Sequence, residues 1–295
     1  MSHTLLRVEN LCVADAENRP IVSGVSFTLE RGAALAVTGP SGAGKSAAMR
    51  AVCGLSPAGF RVKGTVHFDS PEDAGGIIYL VQQAFSTFDP LRRVGRQLEE
   101  TLRRRKPALS RKEARDRVLD VLKSFGFDDP ERAASLFPCE MSGGMLQRAV
   151  TACAVLLEPA LIVADEPTSA LDAPACVRAT AIYKDLVERT GAALVVITHD
   201  AAFASSLTEN FLVIEKGRLA EKATLTDVRR DPASFPLLSG LLAADRSMTE
   251  RLEAIVENPE PASGGQLKAK EAFPEPLVKV RGLTRRIAGG TFFNP

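Results

Sequence analysis

The pattern of apolar and polar residues predicts strands near the start of the chain. Residues 4–13 and 25–29 alternate between apolar and polar positions, which is typical of strands with one buried face. Residues 33–38 form an almost unbroken apolar run, as expected of a strand buried on both faces of a parallel sheet. A glycine-rich loop follows this strand, and then a helix is predicted over 45–53.

Helical and strand-like patterns alternate through the rest of the chain. Residues 64–68 and 76–81 are strand candidates, whereas 91–157 have a helical pattern that includes a capping box formed by Ser110 and Glu113. The sequence therefore predicts an α/β core interrupted by an all-helical insert. The remaining predicted elements are strands over 161–164, 193–198 and 211–214 and a helix over 177–189.

The composition is that of an ordinary globular protein and indicates neither nucleic acid nor a membrane as a binding partner. The chain has 295 residues, of which 45% are hydrophobic, and a net charge of +1. It shows neither the apolar stretch of a signal peptide nor the roughly 18 uninterrupted apolar residues that a spanning helix needs. We therefore expect a cytosolic protein that reaches any membrane through a partner.

One segment departs from this even distribution of charge. Residues 92–117 contain eleven Lys or Arg residues and four Asp or Glu residues. Nucleic-acid binding is one interpretation, but no aromatic residues are interleaved with the basic ones. We favour a solvated helical face, and the sequence predicts no nucleic-acid partner.

A change in composition near the end of the chain predicts the domain organisation. Residues 1–258 are expected to form one domain, and 259–276, which contain Pro, Ser and Gly, to form a linker. Residues 277–283 resemble residues 5–11 in their pattern, which is either coincidence or the opening strand of a repeated module. We favour the second interpretation, with 277–295 as the truncated start of that module.

The glycine-rich loop fits the pattern G-x-x-x-x-G-K-[ST] and is predicted to bind phosphate. Its glycines let consecutive backbone N–H groups turn toward phosphates at the positive end of the following helix. Lys45 is expected to reach the β- and γ-phosphates, and the Ser46 hydroxyl to bind Mg²⁺. The predicted phosphate-binding residues are Gly39, Pro40, Ser41, Gly42, Ala43, Gly44, Lys45 and Ser46.

Two carboxylates at the end of the strand over 161–164 supply an acidic partner for this loop. Mg²⁺ keeps most of its waters, so one carboxylate at a strand tip suffices to position it, and we assign that role to Asp165. Glu166 is expected to polarise the attacking water as a general base. Taken alone, the two acids would indicate only a solvated loop after a strand, but the phosphate loop favours catalysis.

The signature motif (Ser142-Gly143-Gly144) begins a predicted helix between the phosphate loop and the acidic strand. A serine hydroxyl and exposed amides at a helix start form an anion site. A plain N-cap has the same sequence and would be the better interpretation of the motif by itself. Its position shortly before the acidic strand favours an anion site.

These motifs, with Thr198-His199-Asp200, resemble the ATP-binding subunit of an ABC transporter over about residues 4–230. The resemblance implies a P-loop NTPase (RecA-like) α/β core with a small antiparallel β subdomain. It also implies an inserted all-helical subdomain over about 84–158. Two such subunits are expected to meet head to tail, with ATP between the phosphate loop of one and the signature motif of the other.

The resemblance also implies roles for individual residues. Gln82 resembles the glutamine that contacts Mg²⁺ and water and communicates with the membrane partner. The signature motif, with Ser142, Gly143 and Gly144, resembles the segment that binds the opposite γ-phosphate. Asp172 resembles the loop acid that faces the other subunit, and His199 resembles the switch histidine at the γ-phosphate.

Two segments resemble, more narrowly, the nickel, metallophore and peptide importer branch, and especially the first ATPase of nickel importers. Residues 137–148 read FPCEMSGGMLQR, with Met145 where most members carry glutamine, and 82–90 read QQAFSTFDP. The resemblance implies an ATPase with ATP and Mg²⁺ as cofactors, peripheral at the cytoplasmic face of the inner or plasma membrane. Its expected partners are a second ABC ATPase subunit (a homologue or a second copy), two permeases and, indirectly, an extracytoplasmic solute-binding protein.

Two other classes of protein fit the motifs less well than the importer. A soluble ABC ATPase that acts on nucleic acid or ribosomes needs either long coiled-coil arms or two complete modules in one chain, and this sequence has neither. A P-loop kinase or GTPase leaves the signature motif and His199 without a role.

Overall fold

The computed structural model describes residues 4–69, 76–80, 87–168, 173–244, 285–287 and 290–292. The chain divides into two compact units, Met1–Ser247 and Met248–Pro295. The first unit carries every predicted site residue.

Two sheets organise the first unit. One is antiparallel with strand order β2-β1-β4, and the other has the order β5-β6-β7-β3-β8-β9. Neighbouring strands of the second sheet run parallel, except that β9 is antiparallel to β8. The strands are β1 (Thr4–Ala14), β2 (Pro20–Glu30), β3 (Ala34–Thr38), β4 (Arg61–Phe68), β5 (Ile77–Leu80), β6 (Leu161–Asp165), β7 (Ala193–Ile197), β8 (Asn210–Glu215) and β9 (Arg218–Thr224).

Helices follow the strands and fill the predicted insert between β5 and β6. The helices are α1 (Lys45–Val52), α2 (Val94–Arg105), α3 (Arg111–Ser124), α4 (Pro130–Ser135), α5 (Gly143–Leu157), α6 (Ala173–Thr190), α7 (Ala201–Leu207) and α8 (Leu225–Arg230). Residues 236–244 are also helical. None of these helices is both long and apolar enough to cross a bilayer.

The central strands of the second sheet are buried on both faces, and alternate residues of one strand enter different cores. On β6, Leu161 and Val163 pack in a cluster with α1 and the antiparallel sheet. Ile162 and Ala164, which point the other way, pack in a cluster with the helical insert. This two-sided burial explains why the strand is apolar from Leu161 to Ala164.

The helical insert has its own apolar centre and a well-formed helix start. Leu98 and Leu102 on α2 and Leu122 on α3 are fully buried in it. The capping box is present: Ser110 Oγ accepts the Glu113 N–H at 3.2 Å, and the Glu113 carboxylate accepts the Ser110 N–H at 2.8 Å. The insert is therefore a packed helical subdomain, as the sequence predicts.

Part of the basic segment over 92–117 is neutralised locally. Arg92 and Arg96 both pair with Glu100 on α2. Arg93 donates to the carbonyl of Ser135 at 2.8 Å and lies over the ring of Phe137. Several of the arginines thus have contacts within the helical subdomain.

The predicted fold class is confirmed, and the differences lie in the lengths and number of elements. The strand predicted over 25–29 extends from Pro20 to Glu30, because Val22 pairs with Val13 of β1. Strand β9 was not predicted, since its sequence RLAEKAT is largely polar; its pairing with β8 makes it a strand. Helices α7 and α8 are too short to give a helical period in the sequence.

In the second unit, β10 (Arg285–Ile287) and β11 (Gly290–Phe292) form an antiparallel pair. The strand predicted over 277–283 lies outside the described residues.

Replacing Gly95 by Ala should loosen the helical subdomain. A Cβ at Gly95 would lie 2.5 Å from the Cβ of Ala134 and 2.8 Å from its carbonyl oxygen, so α4 would have to move. We expect the free energy of unfolding, measured with urea and circular dichroism, to fall by about 1–3 kcal/mol.

Gly240→Ala is the matched control, because Gly240 is also helical and a Cβ there would meet no described atom within 4 Å. It should leave stability unchanged or raise it by about 0.5–1 kcal/mol. Equal effects of the two substitutions would contradict the close approach of α2 and α4.

Candidate nucleotide site

The candidate site lies at the carboxyl ends of three adjacent strands. β6 pairs with β7, and β7 pairs with β3, all in parallel register, so their carboxyl ends share one edge of the sheet. The phosphate loop (residues 39–46) follows β3, Asp165 ends β6 with Glu166 next to it, and His199 follows β7. Ligands of open α/β sheets bind at this edge.

The phosphate loop leaves β3 in a conformation that a side chain would obstruct. Gly39 has φ of +137°, and a Cβ there would lie 2.1 Å from the carbonyl oxygen of Ile214 on β8. Gly44 has φ of +96°, and its Cβ would lie 2.9 Å from the carbonyl oxygen of Ile21 on β2. Glycine is therefore required at both positions, and the loop is pressed against β8 and β2.

The turn between β8 and β9 supports the loop from behind. Gly217 in this turn donates its N–H to the carbonyl of Ala43 at 3.0 Å and accepts the N–H of Ser23 at 2.7 Å. A Cβ at Gly217 would lie 2.3 Å from the carbonyl of Ile21. The turn thus connects the phosphate loop to β2 of the antiparallel sheet through backbone hydrogen bonds.

Lys45 is a buried cation folded back on its own loop. The residue is 5% exposed, and Nζ donates to the carbonyl oxygens of Gly39 at 2.8 Å and Pro40 at 3.0 Å. Burial lowers the pKa of Lys45, and the carboxylates of Glu166 and Asp165 partly oppose that shift. A desolvated ammonium with neutral acceptors favours the approach of an anion.

Asp165 is joined to the phosphate loop and to the neighbouring strand. Ser46 donates its hydroxyl proton to Oδ1 of Asp165 at 2.7 Å. Tyr79 on β5 donates its hydroxyl proton to Oδ2 at 2.6 Å, and Arg50 on α1 lies 3.6 Å from that oxygen. Burial and the hydrogen bond to Asp165 raise the pKa of Tyr79, so its hydroxyl stays protonated. The predicted Mg²⁺ ligands Ser46 and Asp165 are therefore in direct contact.

Glu166 and His199 form a second pair beside the first. Glu166 has φ of +48°, an uncommon conformation for a residue with a side chain, and donates its N–H to the carbonyl of Ile197 at 2.8 Å. Its carboxylate lies 2.9 Å from Nδ1 of His199. When the carboxylate is ionised it can only accept, so a hydrogen bond between these atoms then takes its proton from Nδ1.

The signature motif begins α5 and is exposed. Ser142 is its N-cap, and Oγ accepts the Met145 N–H at 3.3 Å. A Cβ at Gly143 or Gly144 would meet no described atom within 4 Å, and neither glycine has a positive φ. No described contact joins the motif to the residues around Lys45, so the structure does not bring these two parts of the predicted site together.

Two predicted site residues, Gln82 and Asp172, lie outside the described residues. The structure adds three contacts that the sequence did not indicate, made by Tyr79, Arg50 and Gly217. Arg50 had one available signal, because it follows Ser46 by four residues on a predicted helix and so shares its face. The contacts of Tyr79 and Gly217 depend on strand pairing and had no signal in the sequence.

Comparison with known proteins agrees with this geometry. A protein-family profile described as ABC transporter matches residues 22–169. The chain is 33% identical over 242 residues to the metal-staphylopine import system ATP-binding protein CntD of Staphylococcus aureus, which covers 78% of this chain and 89% of CntD. This chain belongs to the ABC transporter family. The predicted membership of that family is confirmed.

Two further similarities bear on this ABC ATPase domain. It is 34% identical over 278 residues to the oligopeptide transport ATP-binding protein OppD of Mycobacterium tuberculosis, an alignment that covers 88% of this chain. The same alignment covers 45% of OppD, so the chain spans less than half of that relative. The dimeric ATP-binding cassette MJ0796, bound to ADP and Pi after hydrolysis, superposes with a TM-score of 0.62 at 26% identity, covering 75% of this chain and 99% of that one.

Gly39→Ala should destabilise the ABC domain more than Gly42→Ala. Both glycines have positive φ, but a Cβ at Gly42 would meet no described atom within 4 Å, whereas one at Gly39 would collide with Ile214. We expect a difference of about 1–3 kcal/mol in the free energy of unfolding, measured with urea in the absence of nucleotide. Equal losses would mean that the loop does not rest on β8.

Proposed function

We propose that this chain hydrolyses ATP as the ATP-binding subunit of an ABC importer. The proposal rests on one observation, namely that Lys45, the Ser46–Asp165 pair and the Glu166–His199 pair lie at one sheet edge. Phosphoryl transfer to water uses a cation for phosphate, oxygen ligands for a metal and a base with its own orienting group. The residues at this edge are of these three kinds.

The residues present fit Mg²⁺ and a nucleoside triphosphate. The Ser46 hydroxyl and the Asp165 carboxylate are hard oxygen ligands 2.7 Å apart, and Mg²⁺ is bound in proteins by few such ligands together with phosphate and water. Gly39 and Gly44 keep the loop free of side chains, so phosphate oxygens can approach its N–H groups. When bound, Mg²⁺ would neutralise charge on the phosphate oxygens.

Glu166 and His199 supply the proton chemistry of the proposed reaction. The Glu166 side chain is 18% exposed, so water can reach it although most of the side chain is shielded from solvent. His199 contacts the carboxylate through Nδ1, and its side chain is 57% exposed, so its other ring nitrogen is open to a phosphate oxygen. That nitrogen donates to the phosphate when the ring carries a proton on both nitrogens. Glu166 then accepts the proton of the water that attacks the γ-phosphate.

The signature motif supports a dimer that sandwiches ATP head to tail. Neither backbone conformation nor packing within the described residues requires glycine at 143 and 144. The open space beside these glycines leaves room for a ligand to come close to the first turn of α5, which supports binding of a phosphate there. The amides at that turn and the Ser142 hydroxyl would bind the γ-phosphate held by the partner subunit.

We further propose that the second ATPase subunit is a homologue or another copy and that two permeases connect the pair to cargo. A solute-binding protein outside the membrane would deliver that cargo, and the ATPase would lie at the cytoplasmic face of the membrane. Oligopeptide and metal-staphylopine appear in the names of the similar proteins, which supports short peptides or a metal chelate as cargo. Nickel is the third cargo that we propose, and it rests on the sequence resemblance alone.

The roles of Gln82, near Mg²⁺ and water, and of Asp172, facing the other subunit, belong to the same proposal. So does the division into an ATP-binding domain over 1–258, a linker over 259–276 and the start of a second module over 277–295. The compact unit Met1–Ser247 supports the first of these three segments. The relatives do not favour a soluble ABC ATPase that acts on nucleic acid or ribosomes.

Glu166→Gln should abolish hydrolysis but retain binding of ATP. The amide keeps the shape of the side chain but cannot accept the proton of water, so hydrolysis should fall at least about 100-fold. Since ATP then persists between two subunits, a dimer should accumulate with Mg²⁺-ATP and be visible by analytical ultracentrifugation.

Glu188→Gln makes the same chemical change on the exposed face of α6 and should leave both measurements unchanged. Normal hydrolysis by Glu166→Gln would show that the base has been assigned to the wrong residue.

Gly144→Ala separates the function of the signature motif from its fold. A methyl group at this helical position meets no described atom, so the free energy of unfolding should stay the same or rise by about 0.5–1 kcal/mol. Hydrolysis should nevertheless fall by about tenfold or more, because the methyl would hold the helix start away from the partner's phosphate. Unaltered ATP turnover in this variant would argue against the proposed dimer.

A further inference from the structure

The contacts of the Asp165 carboxylate are divided between two structural elements. Oδ1 accepts the Ser46 hydroxyl at 2.7 Å, whereas Oδ2 accepts the Tyr79 hydroxyl at 2.6 Å. Arg50 Nη2 lies 3.6 Å from the same Oδ2. The two oxygens of one carboxylate therefore have different partners, and of the two it is Oδ1 that contacts the proposed cation ligand Ser46.

Secondary structure fixes each of these contacts. Tyr79 on β5 is in register with Val163 on β6, so Asp165 follows two residues later on the same face of the sheet. Ser46 and Arg50 are four residues apart on α1 and share one face of that helix. The Arg50 guanidinium also lies over the Tyr79 ring, 5.9 Å from its centroid. The carboxylate is thus held between a helix and a strand that both belong to the core.

We propose that Tyr79 and Arg50 are positioning residues that hold Oδ2 of Asp165, so that Oδ1 alone faces the divalent cation. The inference rests on the proposed function, because it takes Ser46 and Asp165 as ligands of the cation that accompanies the nucleotide. In metal sites generally, residues that bind the ligands without touching the metal hold those ligands in the required orientation.

A carboxylate held in this way discriminates between cations. Mg²⁺ is small and demands near-octahedral geometry, which suits a carboxylate that offers one oxygen. Ca²⁺ is larger, and both oxygens of a carboxylate can bind it. Because Oδ2 is engaged by Tyr79 and Arg50, the site favours Mg²⁺ over Ca²⁺.

The Tyr79 hydroxyl is not needed to pair the strands. β5 and β6 are already joined by parallel backbone pairing from Ile77 with Leu161 to Leu80 with Ala164. Tyr79→Phe removes the hydroxyl and keeps the ring, so it tests the carboxylate contact with the least disturbance of packing.

The experiment measures ADP binding to the full chain by calorimetry with Mg²⁺, with Ca²⁺ and with EDTA. For Tyr79→Phe we expect the ratio of Mg²⁺-supported to Ca²⁺-supported affinity to fall by about tenfold, the usual size of effects from partners of metal ligands. Affinity for ADP in EDTA should not change. A loss of packing alone would lower all three affinities together and leave the ratio intact.

Tyr183→Phe is the matched control, since the chain has two tyrosines and Tyr183 is buried against Phe203, with no described contact to Asp165. It should keep the wild-type ratio. Should Tyr79→Phe fail to fold, as judged by circular dichroism, Arg50→Gln on the partly exposed face of α1 must lower the ratio instead.

An unchanged ratio in Tyr79→Phe, with metal-dependent binding by the wild type, would overturn this inference alone. Wild-type protein that binds ADP equally well with Mg²⁺ and with EDTA would overturn the proposed Mg²⁺ site and this inference with it. The two failures are therefore distinguishable in one set of measurements.

Discussion

The parallel pairing of β6, β7 and β3 is the constraint on which the rest of the site depends. Their register places Asp165 opposite Ile197 and brings the loop after β3 to the same edge. Because all three strands are buried on both faces, a slip of one residue would turn core side chains toward the wrong cluster. Apolar packing far from the chemistry thus fixes the position of each charged group.

The site contains a buried charge and strained backbone. The packing of the core must offset their cost in free energy. Lys45 is desolvated beside carbonyl oxygens, Glu166 adopts a positive φ, and Gly39 is pressed against Ile214. The desolvated cation and the positive φ of Glu166 cost free energy in the absence of a ligand, whereas Gly39 adopts its backbone conformation without strain because it has no Cβ. An anion near Lys45 would relieve the first cost, which couples nucleotide binding to the stability of the loop.

Local features of the site were predictable because they depend on short segments. The loop over 39–46, the N-cap at Ser142 and the acids after β6 each carry a pattern with a physical reason, and the family resemblance linked them. Tyr79, Gly217 and strand β9 were not predictable, because their roles come from pairing with distant segments. A largely polar strand such as RLAEKAT has no period of its own that would reveal it.

The predicted site has two halves, the hydrolytic residues and the signature motif, and they differ in what holds them in place within one chain. The bonds of Lys45 to its own loop, the Ser46–Asp165 pair and the Glu166–His199 pair order the described part of the hydrolytic half within one chain. The signature motif has only its N-cap bond and open space beside its glycines. Within the described chain the motif supplies the N-cap of α5, while its glycines meet no neighbour and so leave room for a ligand at the helix start. Assembly, rather than folding, would then complete the proposed reaction centre.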